Sequence, residues 1–418
     1  MTAGTTDRVP THERGHSALE RLVPVDRDEF ARDHWGRAPV VTRAADLPGG
    51  LTDLFGEESV DELVSRRGLR APFLRLAKDG RTLGDREFTQ GGGVGASVTD
   101  QVSDDRLLAH FADGATIVLQ GLHRTWAPLL DFTQQLAEEL GHPVQANAYV
   151  TPSQNTGFSD HYDVHDVFVL QMGGEKRWRV RRPVHVAPLR DEPWTDHRAE
   201  VQGAALREPD HEFTLRPGDV LYLPRGWVHS ATALGGVSIH LTLGVHVWTR
   251  RHVADEMVAL ALAEASRDER VRASLAMARG GFDQEAITPD VELVRAALVR
   301  VLHSIEPTAV VDALEARARV AQRPAPVSPL AQVAAAQVLS PDTVLRLRPH
   351  VAARLVPGDD GSATLRSRVP DFPVEAHDVG TLVALVADGE LRADMVGQEL
   401  ARRLMLAGLL VVVDDDDD

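Results

Sequence analysis

Two histidines and one aspartate, in two nearby parts of the chain, are residue types that bind metal ions. His161 and Asp163 lie two positions apart in SDHYDVHDVFVLQMGGEKRWRV, residues 159–180. On a strand, alternate side chains leave from the same face, so these two would stand about 6.6 Å apart along the backbone and could converge on one ion. His229, in RPGDVLYLPRGWVHSATAL at 216–234, is the third candidate. Together they predict a metal site in a β-barrel.

This ligand set narrows the possible chemistry. Two neutral imidazoles and one carboxylate on one face of an ion leave about three positions open, as in non-haem Fe(II) oxygenases. A structural zinc site would be closed and usually rich in sulfur, whereas this sequence has no cysteine. Any one of the 18 histidines is more simply explained as a surface or core residue, so the interpretation depends on the three residues together. His165 would lie about 13 Å from His161 on an extended strand, and we interpret it as lining and not as a ligand.

The residues before His229 predict the strand that positions it. Pro-Gly-Asp at 217–219 precedes the apolar run Val220–Leu223, and Pro224 and Gly226 follow it. Apolar runs bounded by proline and glycine are typical of buried strands that end in a turn. We therefore expect His229 to point into the mouth of a barrel.

Both segments resemble a known family. The sequence HYDVHDVFVLQMGGEKRWRV, with NAYVTPSQNTGFSD before it, is similar to the ribosomal-oxygenase branch of the JmjC-type cupin oxygenases, and the similarity is specific over about residues 144–249. Members of that branch are Fe(II)- and 2-oxoglutarate-dependent hydroxylases of ribosomal proteins. The resemblance implies that His161, Asp163 and His229 bind the iron and that 2-oxoglutarate and O₂ are co-substrates.

The resemblance also implies a residue that binds the co-substrate. It places Lys176, in GGEKRW, where the distal carboxylate of 2-oxoglutarate is received. The adjacent Gly173 and Gly174 predict a tight turn between two strands, with Lys176 opening the second, so a solvated strand lysine is the alternative. Lysine at this position resembles the eukaryotic histidyl hydroxylases, whereas the bacterial arginyl hydroxylases carry arginine. The expected target is therefore an arginine or a histidine of a ribosomal protein.

Three further residues are candidates for cofactor binding. Asn147 and Tyr149 would share one strand face, and the resemblance places them in the co-substrate pocket or on the approach to the iron. Thr242 alternates with His240 along a later strand, so both could face the pocket. An ordinary polar or packed strand face is the alternative for all of them.

Composition predicts a soluble, cytoplasmic protein of several domains. A chain of 418 residues exceeds the size at which one core stops growing. There is no run of 18 uninterrupted apolar residues and no signal-peptide pattern at residues 1–14, so we expect no membrane segment. The formal charge of −17 argues against broad nucleic-acid binding and suits a basic protein partner.

The fold class that we predict is α+β: a double-stranded β-helix (cupin/JmjC) barrel, a helical dimerisation module and a small winged-helix-like C-terminal domain. The corresponding ranges are residues 1–250 with a disordered tail at 1–16, then 251–329, 330–413 and an acidic tail at 414–418.

The two C-terminal parts suggest protein contacts. The helices after residue 250 carry apolar stripes that could pack within the chain, while the resemblance implies a homodimer. In the last part we expect helices at 379–387 and 393–407 and a strand at 409–413. Residues 341–418 contain eight arginines, no lysine and fifteen acids, a balance of 8 − 15 = −7. Direct DNA binding is therefore not expected.

The sequence is also compatible with three alternatives. The same chemistry could act on a biosynthetic peptide or a small molecule. A non-oxygenase metal cupin would usually have three histidines and a glutamate. A non-catalytic cupin binding protein would be expected to have lost a metal ligand or the cation for the co-substrate, and this sequence retains His161, Asp163, His229 and Lys176.

Overall fold

The computed structural model describes the following residues: 16–78, 80–95, 97–153, 155, 159–277 and 283–413. The acidic tail predicted at 414–418, and the tail predicted at 1–16 except for His16, lie outside these residues. The chain forms two compact units, Met1–Val247 and Trp248–Asp418. The finer division of the second unit near residue 329 stays a prediction.

The first unit combines short helices with the strands that carry the candidate site. Its helices are α1 (Arg27–Asp33), α2 (Glu57–Arg66), α3 (Asp85–Phe88), α4 (Asp104–Ala112), α5 (Leu122–Thr125), α6 (Ala127–Leu140) and α7 (Arg198–Ala205). Its strands are β1 (Val40–Thr42), β2 (Leu74–Lys78), β3 (Arg81–Thr82), β4 (Thr89–Gln90), β5 (Gln101–Val102), β6 (Thr116–Leu119), β7 (Val144–Thr151), β8 (Asp166–Arg181), β9 (His211–Leu215), β10 (Val220–Leu223) and β11 (Val228–Val245). The strand predicted at Val220–Leu223 is confirmed as β10.

One antiparallel sheet organises this unit. Its strand order, over the described part of the chain, is β1-β10-β8-β11-β7-β6-β2-β3, and β9 also pairs with β8. The first half of β8 pairs with β10 and its second half pairs with β9, while β11 lies along its other edge. The long strands β8 and β11 therefore lie side by side at the centre of the sheet.

The turn that we predicted at Gly173 and Gly174 is wrong. Both glycines lie inside β8, and Gly173 pairs with Ile239 of β11. The register of the two strands shifts here, and Gly174 has a φ of +61°, with the position of a Cβ only 2.1 Å from the carbonyl oxygen of Val237. The glycines therefore accommodate an irregularity in a continuous strand, since positive φ and close backbone approach both favour glycine.

Alternate residues of β8 contribute to two different cores. Phe168 belongs to the main core, where its ring lies 5.9 Å from that of Phe30 and 5.0 Å from that of Tyr222, between centroids. Val167 and Val169 belong to a smaller cluster that also contains Trp178. This is the alternation of a strand that is buried on both faces. Val167, Val169 and Trp178 of the smaller cluster also line the candidate site.

The second unit contains helices followed by two small sheets. Its helices are α8 (Arg250–Ala265), α9 (Glu269–Arg272), α10 (Gln284–Ser304), α11 (Pro307–Ala321), α12 (Pro329–Gln337), α13 (Val379–Asp388), α14 (Ala393–Val396) and α15 (Gln398–Leu406). Its strands are β12 (Val344–Leu347), β13 (Arg354–Pro357), β14 (Ala363–Arg366), β15 (Phe372–Val374), β16 (Glu390–Arg392) and β17 (Leu410–Val412). The sheets have the orders β16-β12-β17 and β13-β14-β15.

The helix predicted at 393–407 is two helices in the structure. Gly397, with a φ of +88°, ends α14 and precedes α15. Glycine adopts this backbone conformation without strain and therefore commonly ends a helix. The strand predicted at 409–413 is confirmed as β17. No helix in the described parts of either unit has the length and hydropathy needed to cross a membrane.

Candidate metal centre

The structure brings the three candidate ligands together. His161, Asp163 and His229 each offer one ligand atom, and these atoms all lie within 4.8 Å of one another. Nε2 of His229 lies 3.7 Å from Oδ2 of Asp163, and the two imidazole centroids are 4.4 Å apart. Among the described residues this is the one group of three or more His, Cys, Asp or Glu side chains with such spacing.

Main-chain hydrogen bonds hold the ligand segments against each other. The N–H of His161 donates to the carbonyl oxygen of His229 at 3.1 Å, and the N–H of His229 donates to that of His161 at 2.8 Å. Gly226 donates its N–H to the carbonyl oxygen of Asp163 at 3.0 Å. The strand that we predicted through His161 and Asp163 is wrong, because only His161 makes an isolated bridge and residues 162–165 leave the ladder.

His165 is close enough to Asp163 to influence its pKa but is outside the ligand group. Its ring stacks on His246, with centroids 5.3 Å apart and planes at 20°, and its imidazole packs against Gly244. It is in neither the ligand group nor the lining of the adjacent pocket. It is therefore not a ligand candidate, as predicted, but the prediction that it lines the pocket was wrong.

Both histidines are oriented through Nδ1. That atom of His161 lies 2.7 Å from the carbonyl oxygen of Ser159, and that of His229 lies 3.0 Å from the carbonyl oxygen of Trp227. A carbonyl oxygen only accepts, so each pairing requires an Nδ1–H donor. The neutral imidazole then has its lone pair on Nε2, the arrangement of a metal-binding histidine.

The charges of the group also suit a divalent cation. Burial, with a smaller contribution from His161, lowers the pKa of His229 to about 4, so this imidazole is neutral near pH 7. Burial alone would raise the pKa of Asp163, but the neighbouring His165, His229 and His161 outweigh it and hold the pKa below its ordinary value. The group therefore offers a carboxylate and a neutral imidazole to an ion.

The candidate ligands line a pocket beside the small apolar cluster. Its walls combine polar side chains of β7, β8 and β11 with apolar residues of β8. The lining residues are Thr116, Tyr149, Thr151, His161, Asp163, Val167, Val169, Lys176, Trp178, His229, Ser230, Ala231, His240 and Thr242.

Lys176 is the buried cation of this pocket. It is 4 % exposed, and its Nζ lies 3.3 Å from Oγ1 of Thr151 and 3.4 Å from Nδ1 of His240. Burial lowers its pKa to about 7. The alternative of a solvated strand lysine is therefore wrong. A buried ammonium near neutral polar groups is suited to binding an anion, which would offset its desolvation.

The other candidates occupy different positions. Tyr149 lines the pocket and stacks on His240, with centroids 4.9 Å apart and planes at 7°. Thr242 also lines the pocket. Asn147 pairs with Thr242 in the β7–β11 ladder, but its Oδ1 accepts a hydrogen bond from the N–H of Gly121 at 3.1 Å, and it is not a lining residue.

Sequence analysis did not assign Thr151 and Trp178, which the structure places in the pocket. Thr151 follows Tyr149 by two residues on β7, and Trp178 follows Lys176 by two residues on β8. The strand period of two was thus the available signal, once one residue on each strand was known to face the pocket.

Burial of Lys176 leads to a pH-dependent stability. The pKa of Lys176 is 10.5 ordinarily and about 7 in the folded protein. Between about pH 7 and pH 10.5 the unfolded chain therefore binds more protons than the folded chain, and the free energy of unfolding rises with pH. We expect Lys176→Met to be more stable than the wild type at about pH 6, with a gap that narrows by about pH 9. Urea unfolding at both pH values measures this gap, and an unchanged gap would contradict a depressed pKa.

Gly226 is expected to be essential for the position of Asp163. Its φ is +87°, and a Cβ there would lie 2.7 Å from the carbonyl oxygen of His185 and 2.8 Å from Cδ of Pro188. We expect Gly226→Ala to lower the free energy of unfolding by about 1–3 kcal/mol or more and to weaken metal binding. Gly203→Ala, in helix α7 with nothing within 4 Å of its Cβ position, is the control and is expected to stabilise slightly. Equal unfolding free energies for the two variants would contradict this account.

Comparison with known proteins identifies the domain that carries the site. Residues 123–253 match the family model described as JmjC domain, a range that contains all three candidate ligands and Lys176. Over this region the chain matches a JmjC domain. The resemblance noted from the sequence is thereby confirmed.

Two curated relatives that match the JmjC region come from animals. The chain is 32 % identical over 223 residues to "Ribosomal oxygenase 1" of Gallus gallus, an alignment that covers 53 % of this chain and 35 % of the relative. It is 27 % identical over 236 residues to "Bifunctional lysine-specific demethylase and histidyl-hydroxylase NO66" of Drosophila persimilis, covering 56 % and 32 %. The chain thus spans about a third of the length of these relatives.

Solved structures extend the likeness over nearly the whole chain. A crystal structure of Escherichia coli ribosomal oxygenase YcfD aligns with a TM-score of 0.53 at 15 % identity, covering 94 % of this chain and 99 % of that one. A structure of YcfD in complex with cobalt and 2-oxoglutarate aligns with a TM-score of 0.51 over the same shares. At this identity the likeness shows the fold. It confirms the predicted fold class, a cupin/JmjC domain followed by helical and C-terminal parts.

Proposed function

We propose that this protein is an Fe(II)- and 2-oxoglutarate-dependent oxygenase that hydroxylates a protein side chain. The observation that carries the proposal is the placement of a His-Asp-His group and a buried lysine in one pocket, which contains His161, Asp163, His229 and Lys176. A metal-binding face and a separate cation are what a chelating dicarboxylate would require.

The donor set fits ferrous iron with open positions. Nε2 of His161, Nε2 of His229 and a carboxylate oxygen of Asp163 would bind it, and about three positions would stay free for co-substrates. When bound, iron with 2-oxoglutarate and O₂ supplies the oxidising chemistry that converts a C–H bond to C–OH, with succinate and CO₂ as co-products. The chain itself contributes the ligand geometry through the His161–His229 bridge.

The co-substrate site follows from the surroundings of Lys176. Its ammonium would donate to the far carboxylate of 2-oxoglutarate, with Thr151 Oγ1 and His240 Nδ1 within 3.4 Å of Nζ to orient the lysine. Tyr149 and Thr242 would line the same cavity. We retain Asn147 as a supporting residue at its edge, opposite Thr242 in the ladder.

The pocket walls would exclude water from an ion pair between Lys176 and a bound carboxylate. Val167, Val169 and Trp178 are at most 5 % exposed, and all three line the pocket together with Lys176. In such surroundings a carboxylate–ammonium pair is screened far less than at the surface. Because the oxidising chemistry belongs to the bound group, the residues of this chain act by binding, orientation and exclusion of water.

A ribosomal protein is the substrate that we propose, hydroxylated on an arginine or a histidine. The relatives described above are named as a ribosomal oxygenase and as a bifunctional lysine-specific demethylase and histidyl-hydroxylase. A chain with a formal charge of −17 also suits basic partners such as ribosomal proteins.

The substrate is tested with Fe(II), 2-oxoglutarate and a ribosomal-protein extract. We expect extract-stimulated succinate and one ribosomal protein heavier by one oxygen atom, with Asp163→Ala as the inactive control. Fragmentation then distinguishes arginine from histidine. Stimulation only by peptides or small molecules would contradict the proposed substrate while leaving the oxygenase chemistry in place.

We also propose that the protein is a cytoplasmic homodimer. Apolar side chains on α8 and α10, among them Leu262, Val291 and Val299, are exposed in the single chain. Residues of α10 form an apolar groove that a second copy would cover. Sedimentation of the wild type and of Val299→Glu tests this: a monomeric wild type would contradict it.

The acidic balance of residues 341–418 favours protein contacts over DNA contacts in the C-terminal part of the chain.

A further inference from the structure

We propose that Asp160, Tyr162 and Arg181 are positioning residues for His161. Their hydrogen bonds connect both chain neighbours of His161 to the insert between β8 and β9. This inference rests on the proposed function only in taking His161 as a metal ligand. None of the three residues needs to touch the metal or the co-substrate.

Arg181 holds the residue before His161. Its side chain is 8 % exposed, and its Nη1 donates to Oδ1 of Asp160 at 2.8 Å. Its Nη2 donates to the carbonyl oxygen of Ala205 at 3.1 Å, and its Nε donates to that of Arg207 at 3.1 Å. Ala205 is the last residue of α7, where carbonyl groups lack partners within the helix. One guanidinium thus joins the ligand segment to the end of α7.

Tyr162 holds the residue after His161. It is 1 % exposed, and its hydroxyl donates to the carbonyl oxygen of Glu192, within the insert, at 2.9 Å. Its side chain packs with Val201 of α7 and Val228 of β11 in a separate buried cluster. His161 therefore lies between two neighbours that are both fixed to the same insert.

The second histidine is joined to the same contacts. Ser230, directly after His229, donates its Oγ to Oδ1 of Asp160 at 3.0 Å. The carboxylate of Asp160 thus receives bonds from Arg181 on β8 and from Ser230 on β11. The main-chain bridge between His161 and His229 and the shared contact with Asp160 therefore both fix one ligand relative to the other.

These contacts matter because the ligand segment has little other regular structure. Within the described residues 159–165, only His161 has a β-bridge. A segment with few ladder bonds opens easily unless side chains anchor it. The Arg181–Asp160 pair is partly buried, and breaking such a pair costs more than breaking a surface pair because the remaining partner is left unpaired.

The test compares two arginine variants on one strand. Arg179, also on β8, pairs with Glu212 at 3.1 Å but is 47 % exposed, so Arg179→Met is a matched control. We expect Arg181→Met to weaken Co(II) binding by about 10–100-fold, the range for residues that support a metal ligand, and to alter the Co(II) absorption spectrum. Arg179→Met is expected to match the wild type. Arg181→Lys, with one ammonium in place of a fork, is expected to be intermediate.

A second readout does not depend on metal. Amide hydrogen exchange of residues 159–165 in the metal-free protein is expected to be faster in Arg181→Met than in Arg179→Met. Faster exchange in a protein that binds no metal would support the positioning role and contradict the proposed function. Equal Co(II) affinities and equal exchange in the two variants would overturn the positioning role.

Two milder variants cover the case in which Arg181→Met does not fold. Tyr162→Phe removes only the hydroxyl that bonds to Glu192, and Asp160→Asn removes only the charge that Arg181 faces. We expect each to weaken Co(II) binding severalfold with the fold retained. Wild-type Co(II) affinity and spectrum in both would overturn the proposal.

Discussion

Asp163→Ala is expected to abolish turnover and to weaken metal binding by more than about 100-fold, above the range for residues that only support a ligand. Asp163 supplies the one carboxylate of the group, and without it two imidazoles would hold a divalent cation with no charge compensation. Titration with Co(II) and succinate release measure the two effects.

His165→Ala is the matched control for this experiment. It lies two residues from Asp163 but stacks on His246 and is outside the ligand group. We expect its metal affinity to stay within a few-fold of the wild type. Retained turnover in Asp163→Ala, or an equal loss of metal affinity in both variants, would exclude Asp163 as a ligand.

Lys176→Ala is expected to raise the KM for 2-oxoglutarate by about 150- to 5,000-fold, with a smaller effect on kcat at saturating co-substrate. The physical reason is that removing one partner of a buried ion pair costs about 3–5 kcal/mol, and Lys176 is buried beside Thr151 and His240 with its ammonium at the pocket wall. Initial rates over a range of 2-oxoglutarate concentrations separate the two constants.

Two substitutions at the same position separate charge from volume. Lys176→Met keeps much of the side-chain volume and is expected to behave like the alanine variant. Lys176→Arg keeps the charge and is expected to recover part of the affinity, although its planar fork is not equivalent to an ammonium. A KM within about threefold of the wild type in Lys176→Met would remove the lysine from the co-substrate site, since the lost pair should cost far more.

The ligand residues could be predicted from the sequence because their types, and not their local structure, carry the signal. Two histidines and an aspartate suit one kind of ion whichever backbone presents them. The predicted strand through His161 and Asp163 was nevertheless wrong, since a bridge at His161 and the bond from Gly226 to Asp163 bring them together instead. Such contacts join residues far apart in sequence and leave no local pattern.

Burial of charged residues was the least predictable feature. Alternation along β8 indicates which residues share a face, but not whether that face is covered, so Lys176 could have been solvated. Arg181 ends the same strand and resembles a surface residue in the sequence. Its role depends on the fold of the insert that carries α7, and the sequence between β8 and β9 has no motif that indicates this contact.

The proposed function depends on this pocket binding ferrous iron and 2-oxoglutarate together. It is tested most directly by adding both to the metal-free protein without oxygen and recording the visible spectrum. We predict a weak charge-transfer band that requires both additions, is absent in Asp163→Ala, and needs more 2-oxoglutarate in Lys176→Ala. A wild-type spectrum that stays unchanged at saturating iron and 2-oxoglutarate would contradict the claim.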